Sequence, residues 1–368
     1  MVKVLQVLAG LGRGGMETFI MNVYRSIDRD EVQFDFLLRS GGGAYISEAE
    51  SLGARIYYTG KRHESFSKFW KSLDVFFQEH AHEYSAVHVH TSTLSSVEPL
   101  YYAKKYGVPV RIVHSHSSSV SGNKLHYVCH YLCKLFIRTW ATNYLGCSKE
   151  ANDWLYKFTG VYKKAQMIPN GIISDNYKYD INTRLTIRKE LGFQEGDLVI
   201  GHVGRFVWMK NHKFLLDILK EAIKIKANTF LLLIGDGKLM EETIQYSKSL
   251  GIFDHVIFLG QRSDVNKLLQ AMDVFILPSF YEGLPVCLVE SQAAGLLTIC
   301  SDKVSLDSSI TSCIYFYSLN EGAEKWAKLI FEKLNGFERI DQSESIISHG
   351  FDIKHTSQVL KLLYKRKI

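Results

Sequence analysis

The stretch from Asp273 to Asp302, DVFILPSFYEGLPVCLVESQAAGLLTICSD, constrains the fold more than any other part of the chain. Val274–Leu277 is a short, continuous apolar run closed by Pro278 and Ser279, the pattern of a strand buried in a parallel sheet. Pro285 stands where the first turn of a helix tolerates a missing N–H, so a helix is expected over Val286–Ala294. Gly295 stops it, and Leu296–Cys300 reads as the next strand. Glu282 then lies in the loop at the carboxyl end of a strand, and Glu290 about a turn and a half into the following helix. In open α/β sheets that crevice is where ligands sit. Two carboxylates there, beside a helix N-terminus that favours anions, suit a ligand carrying hydroxyls and phosphate together, such as a nucleotide sugar.

A chain of 368 residues is long for one domain and comfortable for two, and 46% apolar content can fill two cores. Met1-Val2-Lys3 runs straight into a strand, Val4–Leu8, so no secretory signal is expected. No apolar stretch reaches the ~18 residues of a membrane span. The most apolar candidate, Leu125–Cys147, is interrupted by His130, Lys134 and Arg138. The six cysteines form neither CxxC pairs nor a disulfide-like framework, and Cys129 and Cys133 stand one helical turn apart. A reducing, cytosolic compartment is expected. The net charge of +6 is uneven: up to Asn170 there are 20 lysines and arginines against 14 aspartates and glutamates. A basic half suits nucleic acid, an anionic membrane surface, a phosphorylated acceptor, or merely a solvated face. Of these, no nucleic-acid partner is expected.

Strand Val4–Leu8 leads into Ala9-Gly10-Leu11-Gly12-Arg13-Gly14-Gly15 and a helix expected over Met16–Ser26. Gly10, Gly12 and Gly15 form a literal G-x-G-x-x-G between strand and helix, the dinucleotide fingerprint, so hydride transfer is one hypothesis. It requires an acidic residue at the tip of the second strand to hold a ribose. That strand, Gln33–Leu38, ends in Arg39 and Ser40, and Asp35 lies inside it. A reductase would therefore have to prefer NADP.

Ala86–His90 and Val110–His114 read as buried strands, with a helix Leu94–Tyr106 between them. Each ends in histidines: His88 and His90, then His114 and His116. An HxH pair can hold a metal, but no Asp, Glu or Cys accompanies these in a ligand spacing. Lys124–Trp140, KLHYVCHYLCKLFIRTW, is an aromatic-rich helix with Lys and Arg near its ends and on one side. It suits either ordinary packing on a sheet or a membrane surface. Ser148 caps a helix from Lys149. Ile168-Pro169-Asn170-Gly171 punctuates the end of a first domain, and a polar stretch follows to Asp197.

In the second half, strand Leu198–Val203 leads to Gly204-Arg205-Phe206-Val207-Trp208-Met209-Lys210-Asn211-His212 and a helix over Lys213–Ile225. Across such a turn Arg205 and Lys210 can converge on one pair of phosphates. Phe230–Ile234 is a central strand ending in Gly235-Asp236-Gly237. Val256–Leu259 is another, ending in Gly260-Gln261-Arg262. Ser263–Met272 is a helix, and His355–Lys367 the last one, with a basic end that suits fraying or membrane attraction.

The Glu282-x7-Glu290 spacing within SFYEGLPVCLVESQAAGL, the GR-x4-K element in GRFVWMKNH and the opening LGRGGMETFIMNVYRSID resemble the retaining glycosyltransferases of the GT-B fold, glycosyltransferase family 4. The resemblance implies an α/β chain of two Rossmann-like domains with a cleft between them: 1–168 binding acceptor, 169–350 binding nucleotide sugar, and 351–368 crossing back. It gives the donor diphosphate to Arg205, Lys210 and the Gly14 and Gly15 amides. Glu290 would hold the ribose, and Glu282 with the Gly283–Leu284 loop the transferred sugar. Gly235 and the main chain near Arg262 would line the base pocket. VHSHSS implies that His116, rather than the alternative His114, contacts the sugar. The donor implied is a UDP-sugar carrying a hexose, and the acceptor a polyprenyl-diphosphate-linked glycan of capsule or exopolysaccharide synthesis. Peripheral contact with an anionic membrane follows from such an acceptor. No Asp-x-Asp stands beside the site, so metal independence and no cofactor are expected. A nucleotide-sugar epimerase on the same fold is the alternative, and an NADP-dependent oxidoreductase a more distant one.

Overall fold

The computed structural model describes residues 1–60, 65–117 and 124–366. Ser118 at the end of VHSHSS and Lys367 at the basic terminus lie outside the described residues. The chain divides into two units, Met1–Ile172 with Gly350–Ile368, and Ile173–His349.

The first unit alternates strand and helix: β1 (Val2–Leu8), α1 (Gly15–Ser26), β2 (Val32–Leu38), α2 (Ile46–Ser51), β3 (Ile56–Tyr58), α3 (Phe66–His80) and β4 (Ala86–Thr91). It continues with α4 (Glu98–Lys105), β5 (Val110–Ser115), α5 (Lys124–Trp140), β6 (Asn143–Gly146), α6 (Lys149–Tyr156) and β7 (Gln166–Met167). The strands form one parallel sheet in the order β3-β2-β1-β4-β5-β6-β7. Leu5, Val7, Val87, Val89 and Val113 pack with Phe77 and Leu100 in an apolar cluster of this unit. Burial on both faces explains why β4 is entirely buried, histidines included. The helix expected over Leu94–Tyr106 is broken: Leu94–Ser96 is a single 3-10 turn, and α4 begins at Glu98. Pro99 donates no N–H and fits a helix only in its first turn, so it sets that start. Ser148 caps α6 as read, accepting from the Ala151 N–H.

The second unit holds α7 (Ile181–Glu190), β8 (Leu198–Val203), α8 (His212–Ile225), β9 (Thr229–Ile234), α9 (Met240–Ser249), β10 (Val256–Phe258) and α10 (Val265–Ala271). After these come β11 (Val274–Leu277), α11 (Val286–Ala293), β12 (Leu297–Ser301), β13 (Ile314–Tyr317), α12 (Gly322–Leu334) and α13 (Ser343–Ser348). Its parallel sheet runs β10-β9-β8-β11-β12-β13. Strand order reverses between β8 and β11, so the connections from these neighbours leave on opposite faces and open a crevice at their carboxyl ends. The polar stretch before Asp197 contains α7. It is held by Arg184, whose guanidinium meets Asp273 at 2.5 Å, and by Arg188, which donates to the Ala271 carbonyl at 3.0 Å.

The chain then re-enters the first unit, where α14 (Ile353–Tyr364) packs on α1. This helix ends in order rather than fraying: Tyr364 is 1% exposed, and Lys365 pairs with Glu31.

Candidate functional site

In the second unit, the loops after β8 and β11 run side by side. The Phe280 N–H donates to the Met209 carbonyl at 2.9 Å, locking the 3-10 turn Trp208–Lys210 to the loop that carries Glu282. One step further along both segments, the Lys210 ammonium meets the Glu282 carboxylate at 2.7 Å, with side chains only 12% and 13% exposed. Asn211 lets the chain turn into α8 by adopting the left-handed conformation at φ 56°, and its side-chain amide donates to the Pro278 carbonyl. Asn tolerates that conformation better than most residues. Gly204 makes room for the lysine stem, since a Cβ there would lie 3.2 Å from Lys210 Cδ and Cε. The Glu282 segment is pinned again by a bridge to Val304, and its carbonyl accepts from the Ser305 N–H at 3.1 Å.

Gly235 has φ +140°, and a Cβ on it would fall 2.1 Å from the Gly204 carbonyl oxygen. This loop must therefore be glycine for the chain's own packing, because it presses the end of β9 against the Arg205 segment. Arg205 is exposed, close enough to Lys210 that its charge opposes the ammonium. Gly283 and Leu284 are half-buried in the Glu282 loop. The Arg262 guanidinium is engaged by Asp264 at 2.7 and 2.8 Å.

Burial, the largest influence on Lys210, pulls its ammonium down, but the Cys287 sulfur and Glu282 more than restore it, so it stands above its ordinary value. Glu290, on α11, is lifted by burial, while the Tyr177 hydroxyl donating to it at 2.7 Å works the other way. Burial also pushes the Cys287 thiol up to about 12 and holds His212 down at about 4. A permanent cation, two carboxylates and neutral neighbours make a place for a ligand bearing both diphosphate and hydroxyls.

In the first unit, Gly14 is the N-cap of α1, and a Cβ there would meet the Glu17 carboxylate at 2.4 Å. A Cβ at Gly15 would meet nothing within 4 Å, so protein packing does not demand glycine there. Asp35 is 2% exposed and gripped by Arg55 at 2.6 Å, with Tyr84 donating at 3.0 Å. It has no capacity left for a ribose, so a reductase that relies on this carboxylate has no structural basis.

His116, just past β5, belongs to a chain of hydrogen bonds. His90 Nδ1 lies 2.8 Å from His116 Nε2, and His90 Nε2 lies 2.8 Å from Gln6 Oε1. Gln6 donates to the Tyr364 hydroxyl at 3.3 Å, which is 2.8 Å from His88 Nδ1. Since Gln6 Oε1 can only accept, His90 carries its proton on Nε2, and His116 must donate through its own Nε2. His116 Nδ1 is then a bare acceptor, with Asn170 beside it. Burial holds His116 down at about 3, so the ring is neutral. His114 is fully buried under Phe19 and takes no part in the chain. Ring nitrogens of His88, His90 and His114 also gather within 4.8 Å, close enough to share a metal ion. Both nitrogens of His90 and one of His88 are already spent in hydrogen bonds, so the cluster is organised here as a polar network.

Tyr177, Gln6, Tyr364 and the Trp208–Phe280 stack escaped the sequence reading. The left-handed Asn211 carried a readable signal, an Asn directly before a helix.

Residues 183–314 match the family model of the glycosyl transferases group 1, and residues 13–176 that of Glycosyltransferase Family 4. EpsF of Bacillus subtilis (strain 168), named as a glycosyltransferase, is 34% identical over 335 residues, spanning 89% of this chain and 86% of EpsF. The capsular polysaccharide biosynthesis glycosyltransferase CapH of Staphylococcus aureus is 27% identical, over 100% of this chain and 99% of CapH. The Escherichia coli protein named UDP-Gal:alpha-D-GlcNAc-diphosphoundecaprenol alpha-1,3-galactosyltransferase is 26% identical, over 82% of this chain and 78% of its own. Anabaena HepE, solved in complex with UDP and glucose, shares the fold with a TM-score of 0.80 over 100% of both chains at 18% identity. Kinship at the level of EpsF, along most of both chains, is kinship of family: this protein belongs to the family 4 glycosyltransferases of the GT-B fold, and it is an enzyme that transfers a sugar.

Proposed function

We propose that the protein moves a hexose from a UDP-sugar, with retention, to a glycan on a polyprenyl diphosphate during capsule or exopolysaccharide synthesis. The observation that carries the donor half is the close pairing of Lys210 with Glu282 beside Arg205, with Glu290 near the same Cys287 that both members of the pair act on. The donor base and lipid-linked acceptor rest on the names of relatives, in particular CapH and the undecaprenol-linked galactosyltransferase.

Arg205 and Lys210 take up the charge that develops on the leaving diphosphate, and Gly14 and Gly15 offer backbone N–H groups to it. Glu290 holds the ribose hydroxyls. Glu282, with the main chain of Gly283 and Leu284, holds hydroxyls of the transferred sugar, and His116 accepts one more at Nδ1. Gly235 shapes the pocket, and the main chain near Arg262 meets the base. No carboxylate is assigned as a nucleophile: the departing phosphate takes the proton of the attacking hydroxyl on the same face of the sugar. Neither a metal nor a cofactor is required by this scheme.

The acceptor lipid brings the enzyme to the cytoplasmic face of a membrane. The bearing of α5 supports this: Val128, Tyr131, Leu132, Leu135 and Phe136 are each 50% exposed or more, and the helix sequence has no acidic residue. Lys134 is turned inward, donating to the Trp154 and Lys157 carbonyls. Among the described residues no helix is long and apolar enough to cross a membrane.

The test is a panel of UDP-, GDP- and dTDP-sugars screened for thermal stabilisation, followed by NMR of the product's anomeric centre. Glu290→Gln and Lys210→Ala should each reduce transfer by at least ~10²-fold, the scale of one oriented electrostatic group. Near-normal turnover in both would remove the site assignment.

A further inference from the structure

Trp208 is 70% exposed, an unusual place for the largest apolar side chain. Its ring is not loose. It stacks on Phe280, with centroids 4.6 Å apart and planes within 23° of parallel. The stack sits on the most constrained part of the second unit. The backbone bond from Phe280 to Met209 lies directly behind it, and the Lys210–Glu282 pair forms the next rung of the same two segments. One face of the indole is thus backed by an aromatic ring and the other is turned to solvent. A stack held this firmly at an enzyme's strand-end crevice exposes a flat, electron-rich surface of fixed orientation.

From this geometry we propose that the outer face of Trp208 is a binding surface for a pyranose ring, that of the sugar receiving the transferred residue. The C–H groups on one side of a pyranose are polarised by the ring and hydroxyl oxygens, and they meet the negative face of an indole favourably. The hydroxyls around the edge stay free for other hydrogen-bond partners. The proposal rests on the reading of Glu282 as a ligand of the transferred sugar, since Glu282 and the stack stand on the same two joined segments. Phe280 is then a positioning residue, holding the indole upright.

The full chain labelled with 15N-tryptophan gives five indole signals, and Trp208→Phe identifies that of Trp208. Methyl glycosides of glucose, galactose and N-acetylglucosamine are titrated with UDP at saturation. The Trp208 signal should move saturably with at least one of them, at about 10 mM half-saturation, the range left to a ligand held by one aromatic face and a few hydroxyls. Trp208→Ala should weaken that glycoside by about 10-fold or more in ligand-observed saturation transfer, with Trp208→Phe between. A Trp208 signal that ignores every glycoside overturns the proposal, as does one that responds to UDP and to no glycoside, which would make the stack a base-binding surface. The thermal stabilisation given by UDP reports the donor site separately. If it persists while Trp208 is silent, only this proposal fails; if it is absent, the donor reading fails first.

Discussion

Glu282→Gln removes one charge from a pair whose side chains are only 12% and 13% exposed and whose charged atoms stand 2.7 Å apart. The substituted amide keeps the shape and leaves the Lys210 ammonium facing the like charge of Arg205. Breaking a largely buried pair from one side costs about 3 kcal/mol, because the remaining charge stays desolvated without its partner. For a unit of this size such a loss lowers the melting point by roughly 6–12 °C. Calorimetry at pH 7 measures it, following the transition of the second unit. Two companions sharpen the reading. Lys210→Met combined with Glu282→Gln should melt above Glu282→Gln alone, since no unpaired charge is left. Added UDP should raise the melting point of Glu282→Gln more than that of the wild type, because the diphosphate becomes the missing counter-charge. The reasoning is refuted if Glu282→Gln melts with the wild type, or if the double variant is less stable than the single one.

Gly235→Ala should cost about 3 kcal/mol in a urea titration, given φ +140° and a Cβ 2.1 Å from the Gly204 oxygen. Gly15→Ala, whose Cβ meets no protein atom within 4 Å, should stay within about 0.5 kcal/mol of wild type yet lose stabilisation by UDP-sugar. Equal stability loss in the two would contradict this division between packing and binding. Tyr177→Phe removes the hydroxyl that favours the charged form of Glu290, so that carboxyl, already lifted by burial, rises further. If ionised Glu290 is needed, the acidic limb of the kcat/KM profile must move to higher pH; an unmoved limb speaks against the role. Gln6→Leu leaves His90 and Tyr364 without their shared partner, costing about 1–3 kcal/mol. In 15N-histidine spectra, His116 should be a single Nε2–H tautomer in wild type and a mixture in Gln6→Leu; a mixture in both would dispose of the relay.

Much of the architecture could be read from short apolar runs with hard stops. Val274–Leu277 is a strand to the residue, a continuous apolar run closed by Pro278, and so is Leu198–Val203, mostly apolar and closed by Gly204. Helix α7 could not be read in that way. Its docking depends on Arg184 and Arg188 reaching Asp273 and main-chain carbonyls, and no apolar stripe announces it. Pro99 is a local signal of its own: it fits a helix only in the first turn, so α4 begins at Glu98 and not at Leu94. Spacing put Arg205, Lys210 and Glu282 in strand-end loops, but which charges meet depends on β8 and β11 being sheet neighbours. Partners such as Tyr177 with Glu290, or Gln6 with Tyr364, are joined across 113 and 358 positions, and no local pattern reports them. The stacked pair Trp208 and Phe280 is of the same kind.

Tyr364, buried among β1, β2 and β4 through Gln6, Phe34 and His88, has a consequence for how the protein is made. During synthesis the ribosome emits the first sheet early but supplies the side chain that completes it only after the whole second unit. The middle of the chain can reach its final state while still tethered, whereas the beginning must wait with an unfilled gap in its polar interior. Cutting the gene near Ile172 would therefore yield a sheet that never receives its closing residue, and supplying Gly350–Ile368 as a separate peptide should rescue it.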